Sequence, residues 1–209
     1  TVEGLESFLF RKLHFHLMGC ADAHNCTDSI QRRDLDLSRR IHALSWIRTQ
    51  HLSVEWGGID QDNDWSEAVE HIRALTPART PFEKQNCLKM AFEAISETLE
   101  ALFVRMSEGK REAAARLPTA DDVLPAVIIV LVRAKQSRIC AHLEYVRRYR
   151  RPELLPSELS YFIVTVESAN AWIGSLQNLE ERTPEEFDAD HQKSADSERG
   201  FQDPATGRG

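Results

Sequence analysis

The amino-acid sequence predicts an all-α fold, and two observations carry that prediction. Apolar residues recur every three or four positions through most of residues 1–179, which is the spacing of one face of an α-helix. No two segments read as strands that could pair with each other. The 209 residues are 42% apolar and include only 8 prolines and 9 glycines, so they can form one packed domain, with or without a tail.

Two helices are predicted in the first fifty residues. The first covers residues 4–19 and stops at Gly19, and the second follows a loop at 20–29 and closes at Trp46. Apolar residues at helical intervals define both helices: Leu5, Leu9, Leu13 and Leu17, with Phe8 and Phe15 beside them, and then Leu35, Leu37, Ile41, Leu44 and Ile47.

Two more helices are predicted in the middle of the chain. A short one begins at Trp65 and ends near Pro77. Pro81 opens the longest one, because proline is favoured in the first turn of a helix. The pattern leaves residues 109–118 open, either as a continuation of this helix or as a connection. The apolar face of the long helix consists of Cys87, Leu88, Ala91, Ile95, Leu99 and Leu102.

A helix N-terminal signal precedes the most apolar segment. Thr119 can cap a helix, and Asp122, three residues later, replaces the usual glutamate of a capping box. The apolar run at 123–132 is rich in β-branched residues, so its pattern alone fits helix and strand about equally. The lack of a partner strand favours a buried helix. Further helices are predicted at 140–150 and 157–179, with a loop between Pro152 and Pro156.

Charge separates a near-neutral body from an acidic tail. The chain carries a net charge of −7, and residues 180–209, with nine acidic and four basic residues, account for −5 of it. We therefore expect a domain at 1–179 and a disordered or partly helical tail at 180–209. Neither part has a one-sided basic surface, so nucleic-acid binding is disfavoured.

Targeting signals are not evident in the sequence. The longest apolar run has ten residues and contains Pro125, whereas a membrane-spanning helix needs about 20 apolar residues. The start lacks the basic, apolar and small-residue regions of a signal peptide, and its first residue is Thr1 rather than methionine, so we expect an excised intracellular segment. The scattered cysteines, with no C-x-x-C pair, favour reduced thiols.

A histidine and cysteine cluster is the candidate for a metal site. The order H-x-H-x3-C-x3-H-x-C lacks the two tight ligand pairs of most structural zinc sites, so we favour surface histidines with loop or buried cysteines and expect no metal. The cluster consists of His14, His16, Cys20, His24 and Cys26.

Hydrolytic chemistry has less support in the sequence. There is no G-x-S-x-G motif, and nothing pairs Cys87 or Cys140 with a particular histidine. A basic cluster indicates either contact with anionic lipid or an acidic partner or, more simply, a solvated helix end: Arg147, Arg148, Arg150 and Arg151.

Five segments together carry a family resemblance. The segment T-A-D-D-V-L-P at 119–125 precedes the apolar run, and Y-F at 161–162 and A-N-A-W-I at 169–173 follow it. Residues 36–47 fit the pattern D-L-x-x-R-I-x-x-L-x-W-[VI], and residues 80–88 fit T-P-x-x-K-x-x-C-[IL]. In order and spacing they resemble the VPS-nine domain, the catalytic module of exchange factors for endosomal Rab GTPases of the Rab-five class.

The resemblance implies a fold and an activity. The fold is all-α, with an N-terminal helical bundle packed on a layered helical core, and residues 123–132 are then helical. The activity is guanine-nucleotide exchange, in which no covalent bond is made and no cofactor is needed. The expected partner is a Rab-family GTPase in its nucleotide-free or GDP form, and the expected location is cytoplasmic, peripheral to early endosomes.

The resemblance also implies site residues. An aspartate at the position of Asp121 enters the nucleotide site of the GTPase as an acidic finger. Pro125 and Tyr161 match residues that grip the switch regions, and Asp122 and Val164 are expected at the same surface. Spacing alone favours plainer roles for these residues, namely a helix cap, a first-turn proline and a half-buried aromatic residue, and only the resemblance reverses that preference.

Two segments depart from the family pattern. The loop that commonly reads K-A-N-P-P is R-A-K-Q-S here, at 133–137, and the segment that commonly reads G-E-x-G-Y-Y-F-T is S-E-L-S-Y-F-I-V, at 157–164. Val164 thus stands where a threonine is expected. We interpret the chain as an exchange factor of altered specificity; the alternatives are a non-catalytic GTPase-binding or trafficking module of the same fold and a zinc-stabilised helical scaffold.

Overall fold

The computed structural model describes residues 2–19, 27–52, 65–108, 118–151, 153 and 155–176. All regular elements in these ranges are helical, which confirms the predicted fold class. The predicted tail at 180–209 and the undecided segment at 109–117 lie outside the described residues. The helices are α1 (Val2–Gly19), α2 (Thr27–Ala43), a 3₁₀ helix (Thr49–Leu52), α3 (Ser66–Arg73), α4 (Pro81–Glu108), α5 (Ala120–Ala134), α6 (Ile139–Tyr149) and α7 (Ser157–Ser175).

Helix α5 occupies the centre of the core. It contacts α2, α3, α4, α7 and the 3₁₀ helix. Every residue from Ala126 to Val132 is at most 3% exposed. A helix enclosed on all sides needs apolar residues on all sides, which explains why this run shows neither helical nor strand periodicity. The choice that its pattern left open is resolved as a helix.

Helix α4 joins the layers of the core. Its contacts are with α3, α5, α6 and α7. The predicted apolar face is the buried one, since Leu88, Ala91, Ile95 and Leu99 have no exposed surface. Pro81 is the first residue of the helix, as predicted from the preference of proline for the first turn.

Helices α1 and α2 both pack against α6. Asp34 anchors α2 to α6, because its carboxylate accepts hydrogen bonds from the backbone N–H groups of Cys140 (2.8 Å) and Ala141 (3.2 Å). These N–H groups lie in the first turn of α6 and have no partner within their own helix. Burial raises the pKa of Asp34 despite these hydrogen bonds.

Helix α1 is confirmed, but it does not bury the predicted apolar stripe. Leu5, Leu9 and Leu13 are 45–63% exposed. The face that contacts α6 carries Phe10 and His14 instead. Phe10 packs edge-on against Tyr145 and Tyr149, with ring centroids 6.2 and 5.5 Å apart, and His14 contacts Tyr145 in the same way. Aromatic pairing with α6 thus selects a different face of α1 from the one that carries the leucines.

Helix α2 ends earlier than predicted. It stops at Ala43, and the chain continues in a turn that includes Trp46. Leu44 and Ile47 are buried in that turn, with the N–H of Ile47 bonded to the carbonyl of Leu44 at 2.8 Å. The apolar spacing therefore continues beyond the end of the helix, because a tight turn also places these side chains in the core.

The connection between α5 and α6 has an unusual backbone. Lys135 ends α5 in the left-handed region, with φ 50° and ψ 40°, and its N–H bonds to the carbonyl of Leu131. Gln136 is buried, and its Nε2 donates to the carbonyl of Ile72 (3.1 Å) and to Oγ1 of Thr76 (3.0 Å). The side chain of Gln136 thus joins this connection to the end of α3.

Candidate functional site

The first turn of α5 is closed by a capping box. Thr119 is extended, with φ −111° and ψ 173°. Its N–H and its hydroxyl both donate to Oδ2 of Asp122, each at 2.8 Å. The capping box predicted from the sequence is therefore confirmed, with aspartate in the glutamate position.

The two neighbouring aspartates differ in exposure. Asp122 is only 5% exposed, whereas Asp121 is exposed to solvent. Asp121 lies in the first turn of α5, where the backbone N–H groups favour a negative charge. The two carboxylates thus have separate environments although they are adjacent in sequence.

Pro125 shapes the same end of α5. It is half-buried and lies inside the helix. Proline has no N–H, so the carbonyl of Asp121, four residues earlier, lacks the usual intrahelical donor. The turn that carries Asp121 is therefore defined by the capping box on one side and by a proline on the other.

A second part of the site lies on α7, which packs along α5. Tyr161 is 41% exposed and Val164, about one turn later, is 52% exposed. The Tyr161 ring meets the edge of Phe92 of α4 at 6.2 Å between centroids, and Phe92 rests on the fully buried Phe162 at 5.2 Å. Tyr161 is thus held at the surface by a stack of rings anchored in the core.

The exposed face of α7 is uncharged over several turns. Its outward residues after Glu158 are Ser160, Tyr161, Val164, Ser168, Ala171, Gly174 and Ser175. Glu167 is half-buried and pairs with Arg147 at 2.8 Å. An exposed tyrosine on an uncharged face is a feature of protein interfaces, where aromatic residues are enriched and charged residues other than arginine are depleted.

A comparison with protein families identifies the domain that contains these helices. The model of the Vacuolar sorting protein 9 (VPS9) domain matches residues 65–178, more than half of the chain. The chain belongs to the VPS9 domain family. The match extends from the start of α3 past the end of α7, so it includes α5 and α7.

Relatives from distant organisms agree with the VPS9 assignment. Vacuolar protein sorting-associated protein 9A of Oryza sativa subsp. japonica is 24% identical over 83% of this chain and 34% of its own length. The corresponding figures are 24%, 92% and 32% for vps901 of Schizosaccharomyces pombe. For the Rab5 GDP/GTP exchange factor of Homo sapiens they are 25%, 84% and 33%. The chain spans about one third of the length of these relatives.

Sequence reasoning missed Phe92. This residue supports Tyr161 within the VPS9 domain, yet it was not included in the predicted face of α4. Its position four residues after Leu88 and three before Ile95 would have placed it beside that face. An aromatic side chain at the edge of an apolar stripe was the available signal.

The two candidate metal ligands that the structure describes, His14 and His16, do not come together. His14 is buried, and its Nδ1 lies 2.9 Å from the carbonyl oxygen of Arg79, to which the ring donates. His16 is exposed, since residues two apart on a helix face different directions. No group of three ligand side chains suitable for a metal occurs among the described residues, and Cys20, His24 and Cys26 lie outside them.

Three arginines of the predicted basic cluster have partners. Arg147 pairs with Glu167 at 2.8 Å and Arg148 with Glu144 at 3.7 Å. Arg150 donates to Oε1 of Gln85 and stacks over the ring of Phe82. These contacts agree with the simpler interpretation of a solvated helix end.

The described cysteines are not poised for catalysis. Cys87 and Cys140 are both free thiols. Burial raises the pKa of both, and that of Cys140 to about 12, so the nucleophilic thiolate is disfavoured.

Among the described helices, none is long and apolar enough to span a bilayer.

Proposed function

We propose that this chain is a guanine-nucleotide exchange factor for a small GTPase of the Rab5 class. The observation that carries the proposal is an exposed Asp121 at the start of α5 in a VPS9 domain, next to the helix that presents Tyr161 and Val164. The printed name of the human relative, Rab5 GDP/GTP exchange factor, supports the choice of GTPase.

Asp121 supplies the chemistry of release. A GTPase holds its nucleotide through a Mg²⁺ ion and a P-loop lysine that pairs with the phosphates. A carboxylate inserted into that site offers the lysine another anion and repels the β-phosphate. It also competes for the Mg²⁺ site, so the nucleotide leaves without any bond being broken.

Pro125, Tyr161 and Val164 supply the contact surface. Tyr161 offers a large ring with few rotatable bonds and a hydroxyl that can bond at the interface. Val164 offers only methyl groups, so a GTPase with an apolar switch residue opposite it gains more than one with a polar residue there. The altered residue at this position is therefore expected to shift the choice of GTPase.

Exchange follows from reciprocal coupling of two ligands. If the exchange factor weakens nucleotide binding, the nucleotide weakens binding of the exchange factor by the same factor. The partner is then the GDP-bound form at the start of the reaction and the nucleotide-free form in the intermediate. We place this reaction at the cytoplasmic face of early endosomes, with the protein peripheral to the membrane.

The rate of release of a fluorescent guanine nucleotide tests the proposal. A panel of Rab GTPases, including Rab5, is measured with the wild-type chain, with Asp121→Ala and with Asp36→Ala. Asp36 is an exposed aspartate of α2 that pairs with Arg40, which makes it a matched control. We expect acceleration by the wild type and by Asp36→Ala, and a loss of about tenfold or more with Asp121→Ala.

Two results would count against this function. Equal activity of a folded Asp121→Ala variant would remove the acidic finger from the mechanism. Binding without acceleration on every GTPase of the panel would instead favour the non-catalytic GTPase-binding module.

A further inference from the structure

The carboxylate of Asp122 is directed to the protein's own backbone. Its Oδ2 accepts from both the N–H and the hydroxyl of Thr119, and the residue is 5% exposed. A carboxylate that is buried and used in this way does not present its charge to a partner. The expectation that Asp122 contacts the GTPase is therefore not supported by its position.

These bonds hold the backbone turn from which the side chain of Asp121 projects. In the capping box the N–H of Thr119 donates to the side chain of Asp122, and the N–H of Asp122 donates to the side chain of Thr119. The N–H of Asp122 also bonds to the carbonyl of Thr119 at 3.0 Å. Asp121 lies between these two anchored residues. Pro125 removes the donor that would hold the carbonyl of Asp121, so the box and the backbone bonds from Asp122 and Val123 to the carbonyl of Thr119 together restrain this turn.

We infer that Asp122 and Thr119 are positioning residues for the acidic finger. This inference rests on the proposed exchange function, and it assigns the two aspartates different physical tasks. Asp121 acts through its negative charge on the nucleotide site. Asp122 acts as a hydrogen-bond acceptor that keeps the first turn of α5 in one conformation.

Charge-removing isosteres separate the two tasks. Asparagine keeps an acceptor oxygen of the same reach but has no charge, so Asp122→Asn retains the bonds to Thr119 and Asp121→Asn loses the anion. Alanine at 122 removes the acceptor altogether. Thr119→Val removes the hydroxyl at constant shape, and Thr119→Ser restores it.

The experiment measures nucleotide release as a function of exchange-factor concentration for these variants. We expect the maximal rate with Asp122→Asn to stay within about threefold of the wild type, and that with Asp122→Ala to fall about tenfold. Thr119→Val should lose less, with recovery in Thr119→Ser. The half-saturating concentration should change less than about threefold, because the contacts on α7 are intact.

The outcomes distinguish this inference from the proposed function. If Asp122→Asn loses as much as Asp122→Ala while both remain folded by circular dichroism, the charge of Asp122 matters and the positioning role is wrong. If loss in Asp122→Ala appears only as a lower folded fraction, the role is merely structural, which also overturns the inference. If the wild type accelerates release from no GTPase, the exchange function itself fails.

Discussion

At the scale of single residues, a buried polar cluster stands out between α1, α4 and α6. Lys84 has no exposed surface, and its Nζ donates to the carbonyls of Leu75 (2.6 Å) and Ala78 (2.7 Å). Burial lowers the pKa of Lys84 to about 8. The lysine thus satisfies two carbonyls in the turns between α3 and α4. The motif T-P-x-x-K at residues 80–84 did not by itself predict this buried role.

His142 belongs to the same cluster and gives the protein a pH dependence. It is 3% exposed, and neither ring nitrogen has a hydrogen-bond partner among the described residues. Burial, together with the charges of Lys84 and Arg138, lowers the pKa of His142 well below its usual value. Burial also lowers the pKa of His14, and Lys84 adds to that effect.

Stability is expected to fall as the pH drops through about 6.5, where an unfolded histidine takes up a proton. The unfolded state then binds more protons than the folded state, so the free energy of unfolding should decrease by about 1 kcal/mol per pH unit for each histidine that stays neutral. Urea unfolding between pH 7.5 and 5.5 measures this slope. His142→Leu should flatten it, and an unchanged slope in that variant would assign the effect to other groups.

At the scale of elements, the connection between α5 and α6 shows the structural effect of one departure from the VPS9 pattern. The commonly observed asparagine is Lys135 here, and the structure places this residue in the left-handed region. Asparagine and glycine tolerate that conformation better than lysine does. The next position, where proline is common, is Gln136, whose side chain replaces a rigid ring by bonds to Ile72 and Thr76.

Lys135→Asn should therefore stabilise the fold by about 0.5–1 kcal/mol, because the strain of a left-handed lysine is relieved. Urea unfolding with an unchanged denaturant slope would measure the gain. Lys135→Ala is the matched control, since alanine removes the same exposed side chain without favouring a positive φ. Equal stability of the two variants would contradict this explanation.

Element prediction succeeded where one local signal was decisive. Pro81 marked the start of α4, and Thr119 with Asp122 marked the start of α5. The face of α1 was not predictable, because its stripe of leucines and its row of Phe10, His14 and Met18 both have helical spacing. The pairing of Phe10 with two tyrosines of α6 decides between them, and it joins residues more than 130 positions apart.

At the scale of the whole molecule, the site depends on contacts that no single segment contains. The exposure of Tyr161 depends on Phe92 of α4 and Phe162 of α7, and α5 is buried by helices from both halves of the chain. The candidate roles of Asp121, Pro125 and Tyr161 were assigned from the order and spacing of the family motifs. The distinction between an exposed Asp121 and a buried Asp122 required the three-dimensional arrangement of the first turn of α5.

The affinity of the chain for two states of one GTPase tests the central claim most directly. The measurement compares the dissociation constants for the nucleotide-free form and for the GDP-loaded form of the Rab protein that responds best in the exchange assay. An exchange factor is expected to bind the empty form about 100-fold more tightly, and Asp121→Ala should reduce that ratio. Equal affinities for the two forms would contradict the account, because a ligand without such preference cannot promote release.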